Sequence, residues 1–151
     1  MQKVLARKEN GSKNYEKMKI KVAKCHRKIA NKRNDYLHNL SSYLVNNYKT
    51  ICLEDLNVKG MQKNHNLARA IQDASWGEFT RQLQYKSDWN GDNIIYIGRF
   101  EPSSKTCSVC GYKKEDLKLS DRSWVCPQCG TKHDRDINAA VNIKEIALKE
   151  S

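Results

Sequence analysis

Apolar residues recur along the first third of the chain at a helical interval. Tyr15, Met18, Val22, Cys25 and Ile29 follow at spacings of 3, 4, 3 and 4, and the series continues more loosely through Tyr36, Leu40 and Tyr43. The pattern predicts one long helix over about residues 13–47, with a single apolar stripe and lysines on its other faces. Asn10-Gly11-Ser12 breaks the chain before it, and Ser12 and Asn14 are the candidate caps. The stripe is expected to pack on the rest of the protein, a coiled-coil seam being the alternative. Lys49-Thr50-Ile51-Cys52-Leu53 is a short, partly β-branched run and predicts a buried strand that stops at Glu54-Asp55. A polar loop follows from Asn57 to Asn66, containing Gly60. A second helix is predicted over about 66–88, with Leu67, Ile71, Ala74, Phe79, Leu83 and Tyr85 in imperfect amphipathic order. Asn90-Gly91-Asp92 ends it, and Asn93–Ile97 reads as a second buried strand. A last helix starts near Asp134–Asp136 and runs through Ala139, Ala140, Ile143, Ile146 and Ala147, with acidic residues in the first turn to suit its dipole.

Composition narrows the function class. The 151 residues allow one ordinary domain, or a modest one with a small appendage. With 38% apolar and 30% charged residues there is no run long enough for a membrane helix, and the basic N-terminus has no apolar leader core. Neither a membrane protein nor a secreted one is expected. Lys and Arg outnumber Asp and Glu by 13 to 3 in residues 1–50, against 6 to 6 in 51–100 and 9 to 8 in 101–151. A field localised in this way attracts phosphate backbones, the alternative being an ordinary solvated helix face. Lys17, Lys21, Lys24, Lys28, Lys32 and Arg33 are the candidate contacts.

Beyond Pro102 the composition changes. Cys107-Ser108-Val109-Cys110-Gly111 and Cys126-Pro127-Gln128-Cys129-Gly130 are two CxxCG knuckles, fifteen residues apart. Two intervening residues let both sulfurs of a pair face one point, and the following Gly supplies the positive φ that closes the knuckle. Cys107, Cys110, Cys126 and Cys129 would fill a tetrahedral Zn²⁺ and leave no open position, which makes the zinc structural, two redox CxxC pairs or an iron–sulfur cluster being the alternatives. The spacer suits a hairpin, with Trp124-Val125 leading into the second knuckle. His133 is expected outside the coordination sphere. Cys25 and Cys52 read as packing thiols.

Glu54 ends a predicted strand and Asp136 opens a predicted helix. Carboxylates that converge beside a basic surface hold Mg²⁺ and serve phosphodiester cleavage. An N-cap role for Asp136 and a surface role for Glu54 are the plainer alternatives. Asp55 and Asp134 are equally eligible by residue type.

Three stretches occur together in order: Glu54-Asp55-Leu56-Asn57 after a strand, Pro102-Ser103-Ser104-Lys105-Thr106-Cys107 into the first knuckle, and Asp134-Arg135-Asp136-Ile137-Asn138-Ala139-Ala140 after the second. Lys32-Arg33-Asn34-Asp35 and Leu83-Gln84-Tyr85-Lys86 fit the same pattern. The chain thereby resembles the C-terminal half of the TnpB (OrfB) family, encoded by small insertion sequences and related to compact type V CRISPR effectors. The resemblance implies an α+β fold: a partial RNase H-like (RuvC) domain with a long basic helix, few strands and an inserted four-cysteine zinc ribbon. It places a partial RuvC-like region at 1–102, the ribbon at 103–133 and a closing RuvC helix at 134–151. Glu54 and Asp136 would be catalytic Mg²⁺ ligands, and Arg135 a local support or nucleic-acid contact. DNA and a guide RNA would be the partners, in the cytoplasm of a bacterium or archaeon, at the nucleoid.

One part of the pattern has no counterpart. The family's first catalytic Asp lies in a DxG motif on the first RuvC strand, and no DxG precedes residue 13. The expectation is a fragment of an RNA-guided DNA endonuclease, catalytically incomplete alone, with the missing N-terminal half as a possible partner in trans. A non-catalytic zinc-ribbon accessory or regulator of transposition that binds nucleic acid is the alternative.

Overall fold

The computed structural model describes residues 1–65, 68–118 and 120–150. A single turn, α1 (Gln2–Leu5), folds back on α2 (Lys13–Asn47), where Gln2 Nε2 lies 2.9 Å from His26 Nε2. Ser12 caps α2, its hydroxyl accepting from the Tyr15 N–H at 3.1 Å, as the breaker sequence predicts. At 35 residues α2 is about 52 Å long. It ends in extended backbone at Tyr48, so the chain passes directly into β1 (Thr50–Glu54).

The segment expected to be a loop contains a short turn, α3 (Val58–Met61), because the Asn57 side chain accepts from the Gly60 N–H at 2.9 Å and starts it. The predicted helix over 66–88 is two helices, α4 (Ala68–Ala74) and α5 (Trp76–Asn90); Asn66 and Leu67 lie outside the described residues. The break is at Ser75, whose φ of 51° is left-handed and turns the helix axis. Gly91, also left-handed, closes α5 and leads into β2 (Asn93–Ile97).

β1 and β2 pair in parallel, with Thr50 opposite Asn93 and Glu54 opposite Ile97. Among the described residues they pair only with each other, so both outer edges are open. Val45, Leu53 and Leu83 form the core beneath them, with Leu44, Ile51, Trp76, Phe79 and Ile94 packed around it. After the cysteine segment the chain returns as α6 (Arg135–Glu150), which packs on both strands. No helix among the described residues is long and apolar enough to cross a membrane.

The best-buried face of α2 is not the predicted stripe, of which Tyr15, Met18, Val22 and Leu40 are half-buried. Leu37, Ser41 and Val45 are buried, whereas Tyr36 and Tyr43 are 63% and 58% exposed and Ile29 and Cys25 also face solvent. At 100° per residue the buried set lies roughly a third of a turn from the stripe. The reason is the partner: α5 meets α2 through polar groups. Gln82 is fully buried, accepting from the Ser41 hydroxyl (3.2 Å) and donating to Asn34 Oδ1 (3.2 Å) and Glu78 Oε1 (2.9 Å). Lys86 donates to the His38 carbonyl and the Ser41 and Ser42 hydroxyls at 2.7–2.8 Å, and burial lowers its pKa. A hydrophobic period counts tyrosines and discounts Ser41, so it points to the wrong side. Cys25 is thus no packing thiol, while Cys52 is half-buried in β1. On α6, Ala147 is fully buried and Ala139, Ile143 and Ile146 partly so, but Ala140 faces solvent with Ile137 and Leu148.

Candidate metal centre and carboxylate groove

The two knuckles fold alike. Each is closed by a glycine N–H donating to the first cysteine's carbonyl, Gly111 to Cys107 and Gly130 to Cys126, both at 2.9 Å. The first cysteine's own N–H donates onward to Tyr112 O (2.8 Å) or Thr131 O (2.9 Å). Gly111 and Gly130 have φ of 76° and 73°, the conformation for which a residue without Cβ is required. The four sulfurs lie within 4.8 Å of one another. Sulfurs around a tetrahedral zinc stand ~3.8 Å apart, given Zn–S bonds of ~2.3 Å. Cys107 to Cys129 is 3.7 Å and Cys110 to Cys126 is 3.6 Å, so the cluster fits such an ion. Thr131, whose hydroxyl is 3.2 Å from the Cys129 sulfur, holds that thiol below the usual range, while Cys110, beside the other sulfurs, is held above it.

Among the described residues of the spacer the expected hairpin does not form. It straddles the second knuckle instead, as β3 (Ser123–Val125) pairs antiparallel with β4 (Lys132–Asp134). An isolated bridge, Thr106 to Lys113, does the same across the first. Each knuckle is thus flanked by its own rung, and the four sulfurs converge. Trp124 and His133 stack across the rung at 4.8 Å and sit over Cys107, Leu117 and Cys126. His133 Nε2 is 3.1 Å from Cys107 Sγ, at hydrogen-bonding distance from one of the four clustered sulfurs. That role is invisible in the sequence.

The carboxylates separate by what they already do. Asp55 is held by Arg99, whose Nη2 donates to its carboxylate at 2.5 Å and whose Nε donates to its carbonyl at 3.1 Å. Asp134 caps α6, accepting from the Asp136 and Ile137 N–H groups at 3.0 Å each. The cap is therefore Asp134 and not Asp136. Asp136 lies exposed in the first turn, with Arg135 Nη2 at 3.4 Å and Arg122 Nη1, from the start of β3, at 4.0 Å. Glu54 is half-buried at the C-terminal end of β1, in a groove with Asp55, Trp76, Thr80, Tyr96 and Arg99. Burial raises its pKa above 4.5.

Glu54→Gln tests that burial. A raised folded-state pKa means that ionised Glu54 costs stability once pH passes through the folded value. The cost is absent below the unfolded pKa near 4.5. Thermal melts are expected to place the glutamine variant above the parent at pH 7 and level with it at pH 4. A variant less stable than the parent at pH 7 would contradict the desolvation argument.

Lys17, Lys21, Lys24, Lys28 and Lys32 all face solvent, and by their spacing they share an arc of about 80° along about 22 Å of α2. Among the described residues none of the five is in an ion pair. Arg33 and Arg135 differ from them: Arg33 donates to Asp73 of α4 at 2.7 Å, and the Arg135 side chain is only 18% exposed against Asp136.

Two family models match. The Cas12f1-like, TNB domain model covers residues 76–143, and OrfB_IS605, described as "Probable transposase", covers residues 1–65. A Streptomyces pristinaespiralis protein named "Putative RNA-guided DNA endonuclease" is 45% identical over 150 residues, 99% of this chain and 37% of that protein. "Putative RNA-guided DNA endonuclease InsQ" of Escherichia coli K12 is 34% identical, over 95% of this chain and 39% of its own length. TnpB-like protein L79 of Acanthamoeba polyphaga mimivirus is 35% identical, over 91% and 27%. The chain therefore spans two fifths or less of each of these relatives. Among solved structures, a Cas12f1–sgRNA–target DNA complex aligns over 87% of this chain and 36% of that one, with a TM-score of 0.60 and 21% identity. A CRISPR-Cas12f ternary complex aligns over 94% and 30%, with a TM-score of 0.62 and 21% identity. Both share this mixed α/β fold.

Proposed function

Because the chain belongs to the TnpB (OrfB) family, we propose that it is the C-terminal portion of a transposon-encoded, RNA-guided DNA endonuclease, working on nucleic acid in the prokaryotic cytoplasm. On this reading residues 1–102 are part of a RuvC-like domain, 103–133 a zinc ribbon inserted in it, and 134–151 its closing helix. Zn²⁺ is held by Cys107, Cys110, Cys126 and Cys129 and stiffens the ribbon, with no open position for chemistry. Glu54 and Asp136 are the catalytic carboxylates.

The observation that carries this assignment is the division of labour among the acids. Arg99 occupies Asp55 at short range and the α6 cap occupies Asp134, which leaves Glu54 and Asp136, the latter held only by the longer contacts to Arg135 (3.4 Å) and Arg122 (4.0 Å), as the candidate ligands. Two further features support it. Glu54 lies at the C-terminal end of a parallel strand, where α/β folds place ligands, and α6, which begins with Asp136 in its first turn, packs on that same strand. An all-oxygen donor pair suits a hard cation, and Mg²⁺, when bound, supplies an activated water and charge stabilisation at the leaving oxygen. Glu54 would hold its share of that cation from a half-buried position, Asp136 from an exposed one beside Arg122 and Arg135. A third carboxylate would come from the part of the protein that precedes this chain in the family pattern.

The isolated chain is expected to cut neither single- nor double-stranded DNA in Mg²⁺ above background. Co-expressed with the N-terminal portion of a close relative and its RNA, it is expected to cut, with Asp136→Ala abolishing the gain. Robust cutting by the chain alone, lost in Asp136→Ala, would overturn the incompleteness. The five unpaired lysines of α2 favour a second, compatible reading, that the chain alone is a nucleic-acid-binding accessory. Five phosphate contacts predict a slope of about −4 to −5 for log K against log salt on duplex DNA. A flat salt response in filter binding would remove the electrostatic grip.

A further inference from the structure

The cysteine subdomain and α6 are joined by two buried asparagines one helical turn apart. Asn138, 2% exposed, accepts from the Ser108 N–H inside the first knuckle at 3.0 Å, and its amide donates to Thr106 O at 2.7 Å and Ser103 O at 3.5 Å. Asn142, also buried, donates to the same two carbonyls at 2.7 Å each. Buried amides held in this way are costly to disrupt, since each lost partner leaves a desolvated donor or acceptor. The turn they grip leads straight into Cys107, the first ligand. From the second knuckle's side the Arg135 N–H donates to Arg122 O at 2.9 Å, and Asp134 at the end of β4 caps the helix. The first two turns of α6 are thus tied to both knuckles.

We propose that Asn138 and Asn142 form a latch that couples metal loading of the four-cysteine site to the order of α6, and so positions Asp136. They are positioning residues, acting through Ser108 and the Ser103–Thr106 turn rather than on any reacting atom. The inference rests on the zinc reading above, not on nuclease activity. Removing the metal frees the knuckles, the turn loses its shape, and the helix that depends on it loosens. Linkage is reciprocal: if the metal orders the helix through the latch, an intact latch raises the affinity for the metal by the same factor.

Hydrogen exchange of the whole 151-residue chain, followed by mass spectrometry on peptides from α6, tests the coupling. Stripping zinc from the parent with a chelator is expected to speed exchange in residues 135–146 about tenfold, a usual coupling magnitude. In Asn138→Ala/Asn142→Ala loaded with zinc, exchange there is expected to be fast already and chelation to add little, while zinc affinity measured by chelator competition falls several-fold below the parent's. Asn138→Asp keeps the acceptor for Ser108 but loses the amide donor, and is expected to fall between the two. Zinc-loaded parent whose α6 exchange ignores chelation, or a double variant that binds zinc with parental affinity, overturns the latch and leaves the zinc site standing. A parent that holds no zinc by elemental analysis overturns the metal reading and the coupling with it.

Discussion

Cys126→Ser is expected to abolish stoichiometric zinc and to unfold the subdomain from residue 105 to 134, the largest single-residue effect in the protein. Cys126 is fully buried and supplies one of four converging sulfurs. The remaining core there is Cys107, Leu117 and Trp124, too small to hold about thirty residues without the ion. Structural zinc contributes about 10–16 kcal/mol in small domains of this kind. Replacing a thiolate by a hydroxyl removes most of that. Elemental analysis reads the metal, and tryptophan fluorescence in a Trp76→Phe/Trp89→Phe background reads Trp124. Because the ligands must be thiolates, lowering the pH is expected to release the metal as protons displace it. A serine variant that retains one zinc per chain with parental Trp124 emission would sink the argument.

Leu83→Ala is expected to destabilise the other half of the molecule by about 3–4 kcal/mol. Leu83 is fully buried and joins Val45 of α2 to Leu53 of β1. That small cluster is the main apolar tie between the helices and a sheet of only two strands. Such a loss is a large part of a domain's total stability of about 5–15 kcal/mol. Urea unfolding followed through a probe in α5 measures it. A change below about 1 kcal/mol would mean that the polar seam of Gln82 and Lys86, not the apolar cluster, holds α5 in place.

How much is legible in the sequence depends on the range over which each feature is decided. Ser12 capping α2, Gly91 ending α5 and the residues of β2 are readable because each is settled within four or five residues. The cysteine cluster is readable because ligand spacing and glycine placement encode its geometry locally. The packing side of α2 is not. It is chosen by α5, some forty residues away, and is built partly from Ser41 and Gln82, which no hydrophobic period detects. The break at Ser75 escapes for a related reason, since serine carries no sequence signal for left-handed backbone.

For the carboxylates the division is finer. Residue types and motif resemblance nominate Glu54 and Asp136 but leave Asp55 and Asp134 eligible, and no local pattern says which acid finds an arginine or becomes a cap. The amino-acid sequence by itself determined the helices and strands in outline, the knuckles and the concentration of positive charge on α2. Only the tertiary structure decided that Arg99 takes Asp55, that His133 reaches one of the four clustered sulfurs, and that Asn138 and Asn142 bolt the cysteine subdomain to α6. Those pairings join residues that are far apart in the chain, and a hydrogen-bond partner is chosen by position in space, which the order of residues alone does not display.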